Sequence, residues 1–140
     1  GHVPSIHMNE HGITLRHGKH KGRLIRPARY YGKKNDRSEW PNHYTTAVYS
    51  DDGGAAWQVS GLFPEGYTEE AALVELHDGR LYYNSRSHSG YYDKTLAREL
   101  RPDETMRREA WSNNGGQAWE NRPSMAPIRR CERRVLPVLD

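Results

Sequence analysis

Hydrophobic residues recur along this chain in short alternating runs, which are typical of β-strands rather than of amphipathic helices. In residues 43–50 (HYTTAVYS) the strand-favouring residues Thr, Val and Tyr dominate one such run. Similar runs, each bounded by turn residues, lie at 22–31, 71–76, 80–86, 105–112 and 117–120. The pattern predicts an all-β, antiparallel fold rich in hairpins. The one helical indication is a short turn at 93–100, and Pro27 predicts a sheet edge or a strand end.

The composition predicts a thin hydrophobic core. Only 34% of the 140 residues are hydrophobic, and the mean hydropathy is −1.04. The formal net charge is +3, from 21 basic and 18 acidic residues, and the basic residues are not organised with aromatic residues in a nucleic-acid motif. We therefore expect no nucleic-acid partner. No apolar run is long enough to span a membrane.

The location of the protein stays open on this sequence. Cys131 is the single cysteine and excludes an internal disulfide, so cysteine usage does not identify the redox compartment. Residues 1–20 show no signal peptide. A secreted or periplasmic location is compatible with a longer parent protein.

One segment of eight residues occurs twice. Residues 50–57 (SDDGGAAW), the first repeat, recur as residues 112–119 (SNNGGQAW), the second repeat. The structural positions that the two copies define are Ser50, Asp52, Gly54 and Trp57, and Ser112, Asn114, Gly116 and Trp119. The Asp or Asn can accept backbone N–H groups ahead of it, the Gly can adopt positive φ, and the Trp can fold back as an apolar plug. We interpret each repeat as a hairpin closure in a blade-like β unit; the alternative is two unrelated turns.

These repeats resemble the Asp-box, or BNR repeat, of the sialidase (neuraminidase) family, although Ala56 and Ala118 stand where Thr is usual. Residues 69–86 (EEAALVELHDGRLYYNSR) resemble the family segment Asn-Glu-x-x-Val-Val-Glu-Leu-x-Asp-Gly-x-Leu-x-x-Asn-x-Arg, with Glu69 in place of the leading Asn. Residues 11–15 and 22–31 are similar to the family strands that precede it, with Arg29 in place of the first Tyr of Pro-Ala-Tyr-x-Tyr.

The resemblance implies a fragment of a six-bladed β-propeller, about two to three blades. Residues 1–120 would form the partial propeller domain. Residues 121–140 would be a divergent Arg- and Pro-rich tail, which we interpret as a truncated or frame-altered end. The implied activity is that of an exo-α-sialidase, a glycosidase that removes terminal sialic acid from glycans. The alternative is a non-catalytic Asp-box propeller that binds carbohydrate or protein.

Two residues of the candidate site follow from the hairpin itself. If His77, Asp78 and Gly79 form a three-residue loop with Gly79 left-handed, Leu76 pairs with Arg80. Counting back along both strands then sets Glu70 opposite Arg86, with about 5 Å between their Cβ atoms. A two-residue loop would leave the two side chains diagonal to each other. An ordinary cross-strand salt bridge is the structural alternative to a site.

The resemblance implies a role for each of three residues. Arg86 would be one of three arginines that bind the sugar carboxylate, to which a guanidinium can donate two parallel hydrogen bonds. Glu70 would be catalytic and would polarise a tyrosine nucleophile, because an anionic nucleophile is repelled by the carboxylate on the anomeric carbon. Tyr31 would bind the side chain or acyl group of the sugar. The expected partners are sialylated glycans.

Other parts of the implied catalytic set have no match in this chain. The acid/base Asp and the first Arg do not match residues 1–10, and the third Arg and the Tyr nucleophile do not match residues 121–140. We therefore expect the 140-residue chain alone to be inactive. No cofactor is predicted, and no metal site, because Gly12 argues against a helix that presents His7 and His11 together.

Overall fold

The computed structural model describes residue 4 and residues 10–32, 43–87 and 106–121. His7, the helical turn predicted at 93–100, Cys131 and the tail from residue 122 onward lie outside these residues. Within them, two antiparallel sheets follow each other along the chain. A 3-10 turn at Gly18–His20 is the helical element that accompanies them. The all-β prediction is confirmed.

The first sheet has four strands in sequence order. They are β1 (Ile13–Thr14), β2 (Leu24–Tyr31), β3 (His43–Ser50) and β4 (Gln58–Val59). β2 pairs with β3 along its whole length, whereas β1 pairs only with Leu24 and Ile25. Pro27 therefore lies inside β2 but beyond the pairing with β1. The strand behaves there as an edge, as the missing N–H of proline requires.

The second sheet has three strands, also in sequence order. They are β5 (Thr68–Glu75), β6 (Leu81–Ser87) and β7 (Arg108–Ser112). Glu120 returns beside Trp111 through an isolated antiparallel bridge that follows the second repeat. Each repeat therefore connects a long strand to a short antiparallel return. This is the hairpin closure that the repeat predicted.

The core lies between the two sheets. Along β6 the side chains of Leu81, Tyr83 and Ser85 are buried, while those of the alternate positions are not. The fully buried Tyr83 ring meets Phe63 edge-on at 5.8 Å between centroids. Its hydroxyl donates 2.6 Å to the backbone oxygen of Thr46 in the first sheet. Burial raises the pKa of Tyr83 far above its ordinary value, so it stays a neutral donor that links the sheets.

The first repeat forms the turn that its residues predicted. Ser50 Oγ accepts the Gly54 N–H at 2.9 Å and donates to Asp52 Oδ1 at 2.7 Å. Asp52 Oδ1 also accepts the Ala56 N–H at 2.9 Å. Gly54 has φ of +99°, which an L side chain rarely adopts.

The second repeat reproduces this geometry bond for bond. Ser112 Oγ accepts the Gly116 N–H at 2.9 Å and donates to Asn114 Oδ1 at 2.8 Å. Asn114 Oδ1 accepts the Ala118 N–H at 3.0 Å, and Gly116 has φ of +85°. Asparagine therefore performs the same turn chemistry as aspartate here, because the bond uses one side-chain oxygen.

The two tryptophans that end the repeats differ in burial. Trp119 is 7% exposed, packs on Tyr83 at 4.6 Å and donates 3.0 Å to Ser60 Oγ. Trp57 is 49% exposed and donates 3.1 Å to the Gly54 carbonyl. The expectation of an apolar plug is correct for Trp119 and wrong for Trp57. Trp119 meets the first sheet, whereas no comparable packing covers Trp57 among the described residues.

Candidate functional site

The hairpin between β5 and β6 has the loop and register that the sequence predicted. The Leu76 N–H donates 2.8 Å to the Arg80 carbonyl, and Gly79 has φ of +83°. The strand pairs then run from Glu75 opposite Leu81 to Ala71 opposite Ser85. The three-residue loop therefore sets the register toward the far end of the hairpin, where the candidate site lies.

A β-bulge interrupts this register where the two acidic residues occur. Thr68 pairs with Ser87 and Ala71 with Ser85, so Glu69 and Glu70 both lie opposite Arg86. Arg86 Nη1 donates 3.1 Å to Glu70 Oε2. The predicted contact between these two side chains is present, although the bulge was not predicted.

Both members of this pair remain accessible to solvent. The side chains of Arg86 and Glu70 are 47% and 57% exposed. An ion pair in such a setting is worth under about 1 kcal/mol. Arg86 can therefore exchange Glu70 for another carboxylate at small cost. Glu70 presents a carboxylate that can accept a proton from a neighbouring hydroxyl.

Buried hydroxyl groups hold the first part of the bulge. The Glu69 carbonyl accepts Thr45 Oγ1 at 2.9 Å and Ser85 Oγ at 3.1 Å. Thr68 Oγ1 accepts the Thr45 N–H at 3.0 Å. Because a bulge removes ladder hydrogen bonds, these side chains satisfy a backbone group that would otherwise be buried without a partner.

Charged side chains hold the second part of the bulge. Arg107 Nη2 donates 3.2 Å to the Glu70 carbonyl, and its Nε donates to Asn84 Oδ1. Glu10 Oε1 accepts the Ala71 N–H at 2.9 Å. Neither Arg107 nor Glu10 could be singled out from the sequence, since both contacts cross long sequence separations.

A buried ion pair lies directly beside the exposed one. Arg29 Nη2 is 2.7 Å from Glu69 Oε2, with side chains that are 12% and 6% exposed. Burial is the main cause that raises the pKa of Glu69, and the Glu70 charge adds to it, while Arg29 opposes both. In the sequence, both residues stand out only as departures from the family segments. The presence of two such departures with opposite charges was the signal in the sequence for their pairing.

Tyr31 lies next to the arginine of this buried pair. Its hydroxyl accepts Arg29 Nη1 at 3.0 Å, and its side chain is buried. Its ring tilts against that of His43 with 6.4 Å between centroids. The arrangement therefore connects Tyr31 to Glu69 through one guanidinium. A role for Tyr31 in binding a sugar stays a prediction.

A polar strip continues from Arg86 along β6. Asn84 Nδ2 donates 3.1 Å to the Tyr82 hydroxyl, which donates 2.8 Å to Glu109 Oε1. Partial burial is the main cause that raises the pKa of Tyr82, so its hydroxyl stays protonated at neutral pH. Tyr82 and Asn84 share the Arg86 face, because side chains alternate along a strand.

No group of three or more His, Cys, Asp or Glu side chains in residues 10–32, 43–87 and 106–121 is arranged to hold a metal ion. The same residues contain no helix long and apolar enough to cross a bilayer.

Comparison with known proteins finds relatives among the sialidases. The chain is 37% identical over 86 residues to Sialidase-4 of Mus musculus, across 57% of this chain and 17% of that protein. It is 40% identical over 82 residues to a sialidase of Micromonospora viridifaciens, across 57% of this chain and 12% of that protein. Over the part that these relatives match, the chain is similar to sialidases. No family model matches it.

Comparison with solved structures also finds proteins of the sialidase type. The leech intramolecular trans-sialidase, solved with 2,7-anhydro-Neu5Ac, is similar with a TM-score of 0.54 and 26% identity. The similarity covers 84% of this chain and 14% of the leech chain. A partial sialidase β-propeller therefore accounts for both the sequence and the fold. The chain spans under a fifth of the length of these relatives.

Proposed function

We propose that this protein is part of an exo-α-sialidase-type glycoside hydrolase that removes terminal sialic acid from glycans, with Glu70 and Arg86 in its site. One observation carries the proposal. The Glu70 and Arg86 side chains meet at 3.1 Å across neighbouring strands, and both remain about half exposed. The oxygen and N–H groups of this pair are therefore within reach of a ligand.

The chemistry of sialic acid fits such a pair. Arg86 can offer two parallel N–H groups to the sugar carboxylate in place of the Glu70 oxygen. Glu70, released from Arg86, can then accept the proton of a tyrosine nucleophile, which is neutral and not repelled by that carboxylate. Tyr31 would contact the side chain or acyl group of the same sugar.

We propose further that the 140-residue chain binds sialic acid without hydrolysing sialosides. The acid/base aspartate, the tyrosine nucleophile and the two other arginines of the resemblance have no sequence match here. One carboxylate contact without these groups is expected to support affinity of about millimolar order, or about 4 kcal/mol.

The test is a nuclear magnetic resonance titration of the labelled chain with N-acetylneuraminic acid. Shifts are expected in the resonances of Glu70 and Arg86, and an Arg86→Gln variant is expected to lose them. A fluorogenic sialoside added to the same preparations is expected to give no turnover. Turnover that Glu70→Ala abolishes would contradict the inactive state of this chain.

The same hairpin offers a matched control. Arg80 Nε is 2.6 Å from Asp78 Oδ2 at the loop end, in an ion pair of similar exposure. An Arg80→Gln variant removes one guanidinium from the same hairpin and is expected to bind as the unaltered chain does. Equal losses in Arg80→Gln and Arg86→Gln would mean that charge alone attracts the acid, and the proposed site would be rejected.

A further inference from the structure

We propose that Arg29 and Glu69 are positioning residues whose buried ion pair fixes the bulge of β5 and thereby sets Glu70 opposite Arg86. The inference rests on the proposed function of Glu70 and Arg86. It adds two residues that contact neither the nucleophile nor the sugar. They would act by holding Glu69, and with it the bulge, away from Arg86.

The bulge is the reason that a neighbour can position Glu70. Glu69 and Glu70 are consecutive and lie opposite one residue, Arg86. In a regular antiparallel pair each residue has its own opposite partner, so only one of the two would face Arg86. If one of these two carboxylates is bound by another residue, the other is left to pair with Arg86. Arg29 anchors Glu69 at 2.7 Å, which leaves Glu70 for Arg86.

Burial makes this anchoring selective. The Glu69 and Arg29 side chains are almost closed to solvent, whereas those of Glu70 and Arg86 are about half exposed. A buried carboxylate that lost its arginine would have no water in its place, so exchange of the two glutamates is costly. Exposed Glu70 can instead leave Arg86 freely. The structure thus separates a permanent pair from an exchangeable one.

The anchor is itself held from two sides. The Glu69 carbonyl accepts the hydroxyls of Thr45 and Ser85, and Arg29 also donates 3.0 Å to the Tyr31 hydroxyl. Arg29 and Glu69 are two of the positions where the compared strand segments carry different residues in the family. Their contact explains both departures together, because either charge alone would be buried without its counterpart.

The experiment measures the Glu70–Arg86 contact without any ligand. The ¹³C chemical shift of the Glu70 carboxylate is recorded before and after Arg86→Gln. The difference between the two shifts, the carboxylate response, reports the contact. The measurement is repeated with Arg29→Gln, with Glu69→Gln, and with both together. Arg29→Gln is expected to lose the response, because Glu69 then competes for Arg86, and Glu69→Gln is expected to weaken it, because the bulge loses its anchor. The double variant, in which two amides can bond to each other, is expected to recover it.

Recovery in the double variant separates positioning from general damage to the fold. The amide resonances of Tyr83 and Ala110, buried in the second sheet, serve as the internal control and are expected to stay in place. A response that persists in both single variants, or one that the double variant fails to recover, overturns the proposal. If the single variants do not fold, Arg29→Lys, which keeps a cation for Glu69, replaces them and is expected to keep the response, so a lost response there overturns the proposal equally.

Sialic acid binding is then measured on the same set. The single variants are expected to bind about fivefold more weakly, a change of about 1 kcal/mol, and the double variant to recover. It is possible to separate the two proposals. If neither the unaltered chain nor any variant binds sialic acid, but the carboxylate response still depends on the Arg29–Glu69 pair, the positioning role holds. The proposed function then fails separately.

Discussion

The first and second repeats have one turn geometry and two different surroundings. In both, a serine oxygen accepts the N–H of the second glycine, and an Asp or Asn oxygen accepts the N–H of the following alanine. The tryptophan that ends the second repeat is buried on Tyr83, whereas that of the first is half exposed. The turn is therefore local chemistry, while the burial of the tryptophan depends on the sheet beside it.

The second repeat meets the first sheet through several groups. The Gly61 N–H donates 2.9 Å to the Gln117 carbonyl, and Ser60 Oγ accepts the indole N–H of Trp119. Arg23, which is buried, donates to the Gly115 carbonyl of the second repeat and to both carboxylate oxygens of Asp51 in the first. The two repeats thus differ in their surroundings, because the residues that contact them lie outside both repeats.

The largest expected difference concerns the tryptophans. Trp119→Ala should lower the free energy of unfolding by about 3–5 kcal/mol, because it leaves a cavity beside Tyr83. Trp57→Ala should change it by about 0.5 kcal/mol or less, since its side chain is half in solvent. Chemical denaturation followed by circular dichroism measures both. Equal losses would show that the two repeats are packed alike.

A smaller difference is expected for the glycines. A Cβ at Gly116 would lie 2.2 Å from Ile25 Cδ1, whereas one at Gly54 would lie 3.8 Å from its nearest neighbours. Both substitutions to Ala carry the strain of positive φ, about 1–2 kcal/mol. Gly116→Ala adds overpacking of about 1–3 kcal/mol, unless the end of Ile25 moves aside. The same denaturation assay compares the two, and a costlier Gly54→Ala would contradict the packing difference.

The smallest expected effect is a pH response confined to the first repeat. Hydrogen bonds from the Ala56 N–H and Ser50 hold the pKa of Asp52 below its ordinary value. A depressed pKa stabilises the folded turn above the ordinary aspartate pKa, and that stabilisation is lost as the pH falls below about 4. Asn114 does not titrate. Protection of the Ala56 amide from exchange, taken relative to its intrinsic rate at each pH, should therefore fall in acid, while that of Ala118 does not follow it.

Asp52→Asn is the control for this response. The substitution makes the first repeat resemble the second, so the acid effect at Ala56 should disappear while the turn persists. An acid response of the same size at Ala118 would mean that the sheets open generally at low pH. Asp51 is left in place in this control, because Arg23 lowers its pKa as well and its acid response must stay the same in both proteins.

Local sequence determined much of the fold and part of the candidate site. Strand alternation, the glycines of the turns and the His77–Gly79 loop all act over a few residues, so their geometry follows from the residues of each segment. The counted register from that loop brought Glu70 to Arg86 because side chains alternate regularly along strands. Trp57 and Trp119, which end the two similar repeats, could not be distinguished in this way.

Only the tertiary structure decided which partners meet across the sheets. The Arg29–Glu69 pair, the Arg107 contact with the bulge and the burial of Trp119 join residues far apart in the chain. Their strength depends on burial, which removes water as an alternative partner and which no local pattern specifies. The sequence alone thus set turns, strands and register, while packing decided which charges are permanently paired and which remain open to a ligand.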